Sequence, residues 1–575
     1  MIKKPARVCD IVQGQDSRFD AWLYSMLMDN NLTHALNPHL IASQEQLAFM
    51  VYLQENHVYL PCSDATFALL GGDTRNSALQ QKYNRIWKII AHIVRTTIKD
   101  REAQKRIFQF CLYRYKQYTS HQTILPSRLL KRLINLVLKQ SEIMEDPWVQ
   151  KRRTLIQKHK NLFENPIIQK ALHSVTAASL PDNMLKIREK LNALEMLRLL
   201  YLNLYAKTWE DHLPDAATIA QGFCDAEKQA PSIITSLTER HEQATVLYLC
   251  DTEGSVFFDL AVIKALINMG HRVIYAVKDT FFFNAPTIYD MTEEPLMEEL
   301  PKNVRILRDL NVSKNVLLKE LQAHPFMIIN DGTSEHMNLY RVSLTFARAW
   351  KESDVVVANG WRAKDIFLDT SHSFTRDIIL SWIDDQGFHI KNREHAPLAH
   401  KFSAFCINEQ ADRIIKSMRE AHKQHKSVMF FSCIIGSIPG QTQLAITLAT
   451  KFVEHLRNHL ENVLIINPAE HFIPGMDGDD LMYMWERVQR SGQIDIWRFQ
   501  TSQDIESSFA LLKQKVPQIW SGKDATYSTG CTKEMRIALE VQQKNKEMQI
   551  IGPDPKLFFR RSEYGVGKYF DANYK

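Results

Sequence analysis

The chain has little of what would mark an extracellular, fibrous or membrane-spanning protein. Its 575 residues include eight cysteines (Cys9, Cys62, Cys111, Cys224, Cys250, Cys406, Cys433 and Cys531), none in a C-x-x-C pair. That argues against a cysteine-rich zinc site and points to a reducing compartment. Glycine (19) and proline (20) are sparse, and no low-complexity tract or internal repeat is present, which argues against solenoid and linker-rich architectures. No apolar stretch is long enough to span a bilayer. The first residues, MIKKPARVCDIVQGQDSRFD, lack the apolar core of a signal peptide. A cytoplasmic location is the default expectation.

What is present suits a soluble protein of several domains. Hydrophobic residues make up 45% and charged residues 24%, and the length implies two to four domains. The net charge of +6 is unevenly spread: residues 81–160 hold 19 Lys or Arg against 5 Asp or Glu. Many sit at helical spacing, as in KYNRIWKIIAHIVR and LPSRLLKRLINLVLKQ. Amphipathic helices with solvated basic faces would produce this pattern. An anionic partner, whether nucleic acid, membrane surface or acidic protein, would use it.

Periodicity divides the chain. Residues 1 to about 235 read as helical, with apolar positions recurring in RIWKIIAHIV, IFQFCLYRY and LNALEMLRLLYLNLY. From about 245 to 400, strands (VLYLC, RVIYAV, VRIL, FMIIN, DVVVAN) alternate with helices, the pattern of a parallel α/β sheet. Residues 408–426 read as a polar helical connector. A second α/β region follows, with strands expected at 427–435, 462–468, 494–499, 516–520 and 548–553. The expected class is α/β: a helical N-terminal region, then two Rossmann-like domains with mainly parallel sheets. The boundaries are 1–140 (basic helical region), 141–405 (helical at 141–240, α/β at 241–405) and 427–575.

The most informative stretch is 245–290. An apolar strand ends at Asp251 and a turn with Gly254, a helix follows to Gly270, and a second strand runs from Val273 to Val277. Ligands in parallel sheets sit beyond the carboxyl ends of the strands. That is where Asp251, Asn284 and Asp290 fall. The motifs Asp251-Thr252-Glu253-Gly254-Ser255 and Asn284-Ala285-Pro286-Thr287-Ile288-Tyr289-Asp290 resemble the metal-dependent damage-control phosphatases. The likeness runs from Asp146-Pro147-Trp148 through Asn330-Asp331-Gly332 to Asn359-Gly360. It implies a hard divalent cation, Mg²⁺ or Mn²⁺, held by carboxylate and amide oxygens, with Asp251, Glu253, Asn284 and Asp290 as candidate ligands. Three positions depart from the family pattern: Thr252 replaces an Asn, Ala285 an Asp and Asn359 a Lys. Asp251 and Asp290 as plain helix and turn caps are the alternative.

The last region has its own signature: Gly436-Ser437 after the first strand, Asn467-Pro468-Ala469-Glu470 after the second, and Ser528-Thr529-Gly530 leading to Glu534. This resembles the nucleoside 2-deoxyribosyltransferase-like superfamily. The resemblance implies that Glu534 attacks an anomeric carbon, helped by Asp504, with Gly436, Ser437, Asn467, Glu470, Ser528 and Gly530 lining the substrate. Glu534 as a helix-terminal carboxylate is the alternative. The stretch GSIPGQTQ lacks the lysine and spacing of a P-loop. Together these readings lead to a hydrolase-type enzyme acting on phosphorylated sugars or nucleotides, with a second domain that binds or cleaves an N-glycosidic bond. A non-catalytic scaffold or nucleotide sensor built on two degenerate enzyme folds is the alternative.

Overall fold

The computed structural model describes residues 4–32, 42, 44–71, 76–141, 145–174, 183–209, 212–229, 243–250, 255–293, 296–399, 402–438, 440–471 and 475–559. The protein is α/β, and its chain divides into two units, Met1–Ala399 and His400–Lys575.

The first unit begins with helices whose ends carry the expected caps. Asn76 caps Ser77–Thr97 and Asp100 caps Arg101–Thr119, while Pro126 opens Pro126–Gln140. One face of each is apolar: Tyr83, Ile86, Ile90 and Val94 on the first, Ile107 and Cys111 on the second, Leu129, Leu133 and Val137 on the third. These faces share a core that reaches Phe282 of the α/β part. Val149–Phe163 and Met184–Trp209 continue the helical region.

The strands of this unit are β1 (Val51–Tyr52), β2 (Thr245–Leu249), β3 (Arg272–Val277), β4 (Arg305–Leu307), β5 (Phe326–Asn330), β6 (Val355–Asn359), β7 (Ser373–Phe374), β8 (Asp377–Asp384) and β9 (Gly387–Arg393). Seven of them form one sheet in the order β4-β5-β3-β2-β6-β8-β9, while β1 pairs with β7. The first six are parallel and β9 closes the edge antiparallel to β8. The middle strands are buried on both faces. Val246 and Tyr248 join a core with helix Met184–Trp209, while Leu247 and Leu249 join another with helix Leu344–Glu352. Uninterrupted apolar runs such as Val355-Val356-Val357 follow from that double coverage.

In the second unit, β10 (Ser427–Ser432), β11 (Val463–Ile466), β12 (Ile496–Phe499) and β13 (Gln549–Ile551) form a parallel sheet in the order β11-β10-β12-β13. Helices Ala404–Lys423, Gly478–Gln489 and Thr529–Lys544 cover one face. Two corrections arise here. Residues 408–426 are not a bare connector: helix Ala404–Lys423 buries Ile407, Ala411, Ile414 and Met418 in this unit's core. Residues 516–520 form no strand. Trp520 N–H bonds to Pro517 C=O at 2.9 Å, and the turn drops Trp520 against Phe509, so a turn, not a sheet, buries the apolar run.

All eight cysteines are free thiols. Among the described residues, no helix is long and apolar enough to cross a membrane.

Candidate active site

The connection from β2 leads to β3 on one side of the sheet, and that from β6 leads to β8 on the other. The crevice beyond the carboxyl ends of β2 and β6 is therefore the topological switch point, where such sheets bind ligands. A small cleft opens there. Leu249, Cys250, Lys278, His336, Asn359 and Arg362 line it, among others.

Its charged groups come from three elements. Lys278 follows β3 directly and is buried. Its Nζ donates to Asp331 Oδ2 at 2.6 Å and to Thr333 Oγ1 at 3.0 Å. Burial opposes the ammonium charge, but Asp331 more than offsets it and holds the lysine above its usual range. Arg362 stands in the first turn of Gly360–Phe367, with its guanidinium 4.9 Å from the Trp361 ring centroid. Gly360 has φ +88°, which lets the chain turn from β6 into that helix. His336 presents an imidazole that burial, with the nearby Arg362 and Lys278 charges, drives well below its usual pKa. It is neutral near pH 7. Its Nδ1 is buried with no hydrogen-bond partner. The cleft thus offers two cations and a neutral imidazole, a set suited to a phosphoryl group.

Two of the four predicted metal ligands, Asn284 and Asp290, are among the described residues. Asp251 and Glu253 lie outside the described residues. Asn284 Oδ1 is buried without a partner, a hard oxygen of the kind a divalent cation takes. Asp290 does not fit that role. Its Oδ2 accepts from Thr287 N–H and Oγ1–H, each at 2.7 Å, and its Oδ1 accepts from Arg152 at 2.9 Å. Arg152 also pairs with Asp146, so Asp290 ties the D-P-W turn to this loop. Among the described residues, no group of three or more His, Cys, Asp or Glu is placed to hold a metal. Asn359, the departure from lysine, is buried and engaged: Nδ2 donates to Tyr248 Oη at 2.6 Å and Oδ1 accepts from Ser381 at 2.7 Å. Lys278, His336 and Arg362 were not singled out from sequence. They lie far apart in the chain, and only the lysine at a strand's carboxyl end carried a usable signal.

In the second unit the structure joins some predicted residues and engages others. Ser437 Oγ donates to Ser528 Oγ at 3.0 Å, and Ser528 caps Thr529–Lys544. Gly436 and Gly530 flank this contact with open space or ordinary contacts beside them. Glu534 points at the end of β10. It accepts from Gln489 Nε2 at 3.0 Å and from Ser432, and burial pushes its carboxyl up to about 7. An ionised nucleophile does not suit this position, because burial favours the protonated form of this nearly enclosed group. Asp504 is corrected as well. It forms a capping box with Thr501 and pairs with Arg498 at 2.7 Å, so its carboxylate is spent on structure. Glu470 is held by both Arg457 guanidinium nitrogens at 2.8 Å, and Asn467 closes its own turn onto Ala469.

Residues 217–362 match the family described as the damage-control phosphatase ARMT1-like domain. The match covers β2 to β6 and most of the cleft lining, and it starts later than the Asp146 expected from sequence. No curated protein matches the chain in a sequence search. The crystal structure of a DUF89 family protein from Pyrococcus horikoshii is similar at 15% identity, covering 52% of this chain and 90% of that one with a TM-score of 0.35. That score is too low to add weight.

Proposed function

We propose that the first unit is a phosphatase-type hydrolase acting on a small phosphorylated metabolite, a sugar phosphate or nucleotide, in the cleft at the switch point. One observation carries the reading: Lys278, His336 and Arg362 converge there, within the stretch that matches the phosphatase family. Arg362 binds and orients the phosphoryl oxygens, and Lys278, held in place by Asp331, lines the cleft beside it. Neutral His336 offers its free Nδ1 to a substrate hydroxyl or a water. A divalent cation such as Mg²⁺ or Mn²⁺, when bound, supplies Lewis-acid polarisation of the phosphoryl group. Asn284 Oδ1 is the described atom that fits it, and Asp251 is its proposed partner.

Phosphate release from a panel of sugar phosphates and nucleotides, with Mg²⁺ or Mn²⁺, tests this reading. Wild type is expected to turn over a member of the panel, and Arg362→Gln is expected to raise KM about tenfold or more. A wild-type protein inert across the panel with both metals defeats it.

For the second unit, the non-catalytic alternative has support of its own. Glu470 and Asp504 are spent in ion pairs, and Glu534 is enclosed, with burial favouring its protonated form. Those three groups favour a unit that does not cleave an N-glycosidic bond.

A further inference from the structure

The basic helical region takes no part in the cleft chemistry proposed above, yet its charge is arranged. Residues 77–140 hold 14 Lys or Arg against two acidic residues, Asp100 and Glu102. Inner cations of this region have structural work. Arg128 pairs with Glu335, Lys131 bonds to Ser334, Lys82 donates to Thr66 at 3.0 Å and Arg114 to Gln117 at 2.8 Å. The outer ones have none. Arg85, Lys88, Arg95, Lys105 and Arg106 are exposed, and among the described residues their charged groups have no partner.

Their spacing is regular. Arg85, Lys88, His92 and Arg95 follow one another at steps of three, four and three, so they line one face of helix Ser77–Thr97 over about 15 Å. Helix Arg101–Thr119 lies alongside, pinned by Trp87 against Phe108 and Tyr115 at ring distances of 5.0 and 5.3 Å. Its outer face carries Lys105, Arg106 and Lys116, with Tyr113 at 63% exposure among them.

Unpaired like charges in a row repel one another and are relieved by a polyanion. Three anionic surfaces could provide one. A membrane surface is disfavoured because these faces lack the bulky apolar side chains that insert; in the first helix only Ile89 is notably exposed, at 38%. An acidic protein is disfavoured because protein interfaces have an apolar core, and Ile89 and Tyr113 are the large hydrophobics exposed on these helices. Cations in register with an exposed aromatic ring match a nucleic-acid strand, whose phosphates meet the cations and whose bases stack on the ring. We propose that the outer face of helices Ser77–Thr97 and Arg101–Thr119 binds single-stranded nucleic acid through Arg85, Lys88, Arg95, Lys105, Arg106 and Tyr113.

The test is anisotropy of a fluorescein-labelled, mixed-sequence RNA of about 16 nucleotides with the full chain. Wild type is expected to bind at about 50 mM salt and to lose about a hundredfold in affinity by about 200 mM, as for five phosphate contacts. The triple variant Arg85→Ser, Lys88→Ser, Arg95→Ser should bind about tenfold more weakly, with a log–log salt slope shallower by about 2. Lys105→Glu with Arg106→Glu, on the other helix, should weaken binding independently. Removing the same charge elsewhere, by Lys416→Ser, Arg419→Ser and Lys426→Ser, should leave binding within a factor of about two, because those residues belong to neither helix. Absence of RNA binding at low salt overturns the proposal, whether or not the protein partitions onto phosphatidylserine vesicles. Equal losses in the triple variant and the control also overturn it, since net charge alone would then account for binding.

Discussion

Lys278 Nζ stands 2.6 Å from Asp331 Oδ2, and both side chains are almost sealed from solvent. The pair joins the carboxyl ends of β3 and β5, neighbours in the sheet, and fixes a cation at the base of the cleft. Removing one member of a buried pair leaves the other charge uncompensated, at a cost of about 3–5 kcal/mol. Lys278→Met and Asp331→Asn should each lower stability on that scale in denaturant titrations. The double variant should lose clearly less than the sum. Additive losses would show that the two charges do not depend on each other.

Gly332 sits in the same turn with φ +77°, and a Cβ there would meet Ser343 Cβ and N at 2.8 Å. Ser343 N–H bonds to Asp331 C=O at 2.8 Å, so that backbone cannot yield freely. Gly332→Ala should therefore cost more than Gly270→Ala. Gly270 has a similar φ of +93° but nothing within 4 Å, which limits its loss to about 1–2 kcal/mol of backbone strain. Melting temperatures of the two variants make the comparison, and equal shifts would remove the steric argument.

Asn284 and Asp290 should separate metal binding from structure. Asn284→Ala removes an unpartnered buried oxygen and should weaken Mn²⁺ binding by calorimetry with little change in melting temperature. Asp290→Asn disturbs the Arg152 network and should lower stability by about 1–3 kcal/mol while leaving Mn²⁺ affinity nearly unchanged. The opposite pattern would make Asp290 the ligand.

Glu534 should make the stability of the second unit depend on pH. Its carboxyl is raised from 4.5 to about 7 in the folded state because burial disfavours the charge. Between those values the folded chain holds a proton that the unfolded chain has released, so stability falls as pH rises from about 4.5 to about 7 and then levels off. The difference amounts to about 3 kcal/mol. Glu534→Gln keeps the shape and an acceptor for Gln489 without the charge. It should flatten this part of the profile and exceed wild type above pH 7 in melts recorded across pH. Parallel wild-type and variant profiles would show that Glu534 carries no such linkage.

Much of the fold could be read from particular stretches. Thr245–Leu249, Arg272–Val277, Phe326–Asn330 and Val355–Asn359 are strands near where apolar runs bounded by turns place them, because a parallel sheet covered on both faces needs such runs. The hairpin of β8 and β9 was missed, although Asp384 and Gly387 bracket a turn between apolar stretches. The expected strand at 516–520 failed because burial of Trp520 by a turn leaves the same apolar trace as burial by a sheet. Of the expected site residues, Asn284, Ser437, Ser528 and Glu534 occupy the carboxyl edges of the two sheets, while Asp290, Glu470 and Asp504 are held in ion pairs.

The sequence by itself determined the alternation of strands and helices, the division of charge along the chain and the outward rows of Arg85, Lys88 and Arg95. These follow from local periodicity and composition, which each segment carries alone. Which carboxylates are free, which cations are paired and which groups share the cleft were decided only by tertiary structure. Lys278 meets Asp331 because β3 and β5 lie side by side, and Glu534 keeps its proton to a higher pH because packing strips water from it. Strand order and desolvation are properties of the folded whole, and no local pattern encodes them.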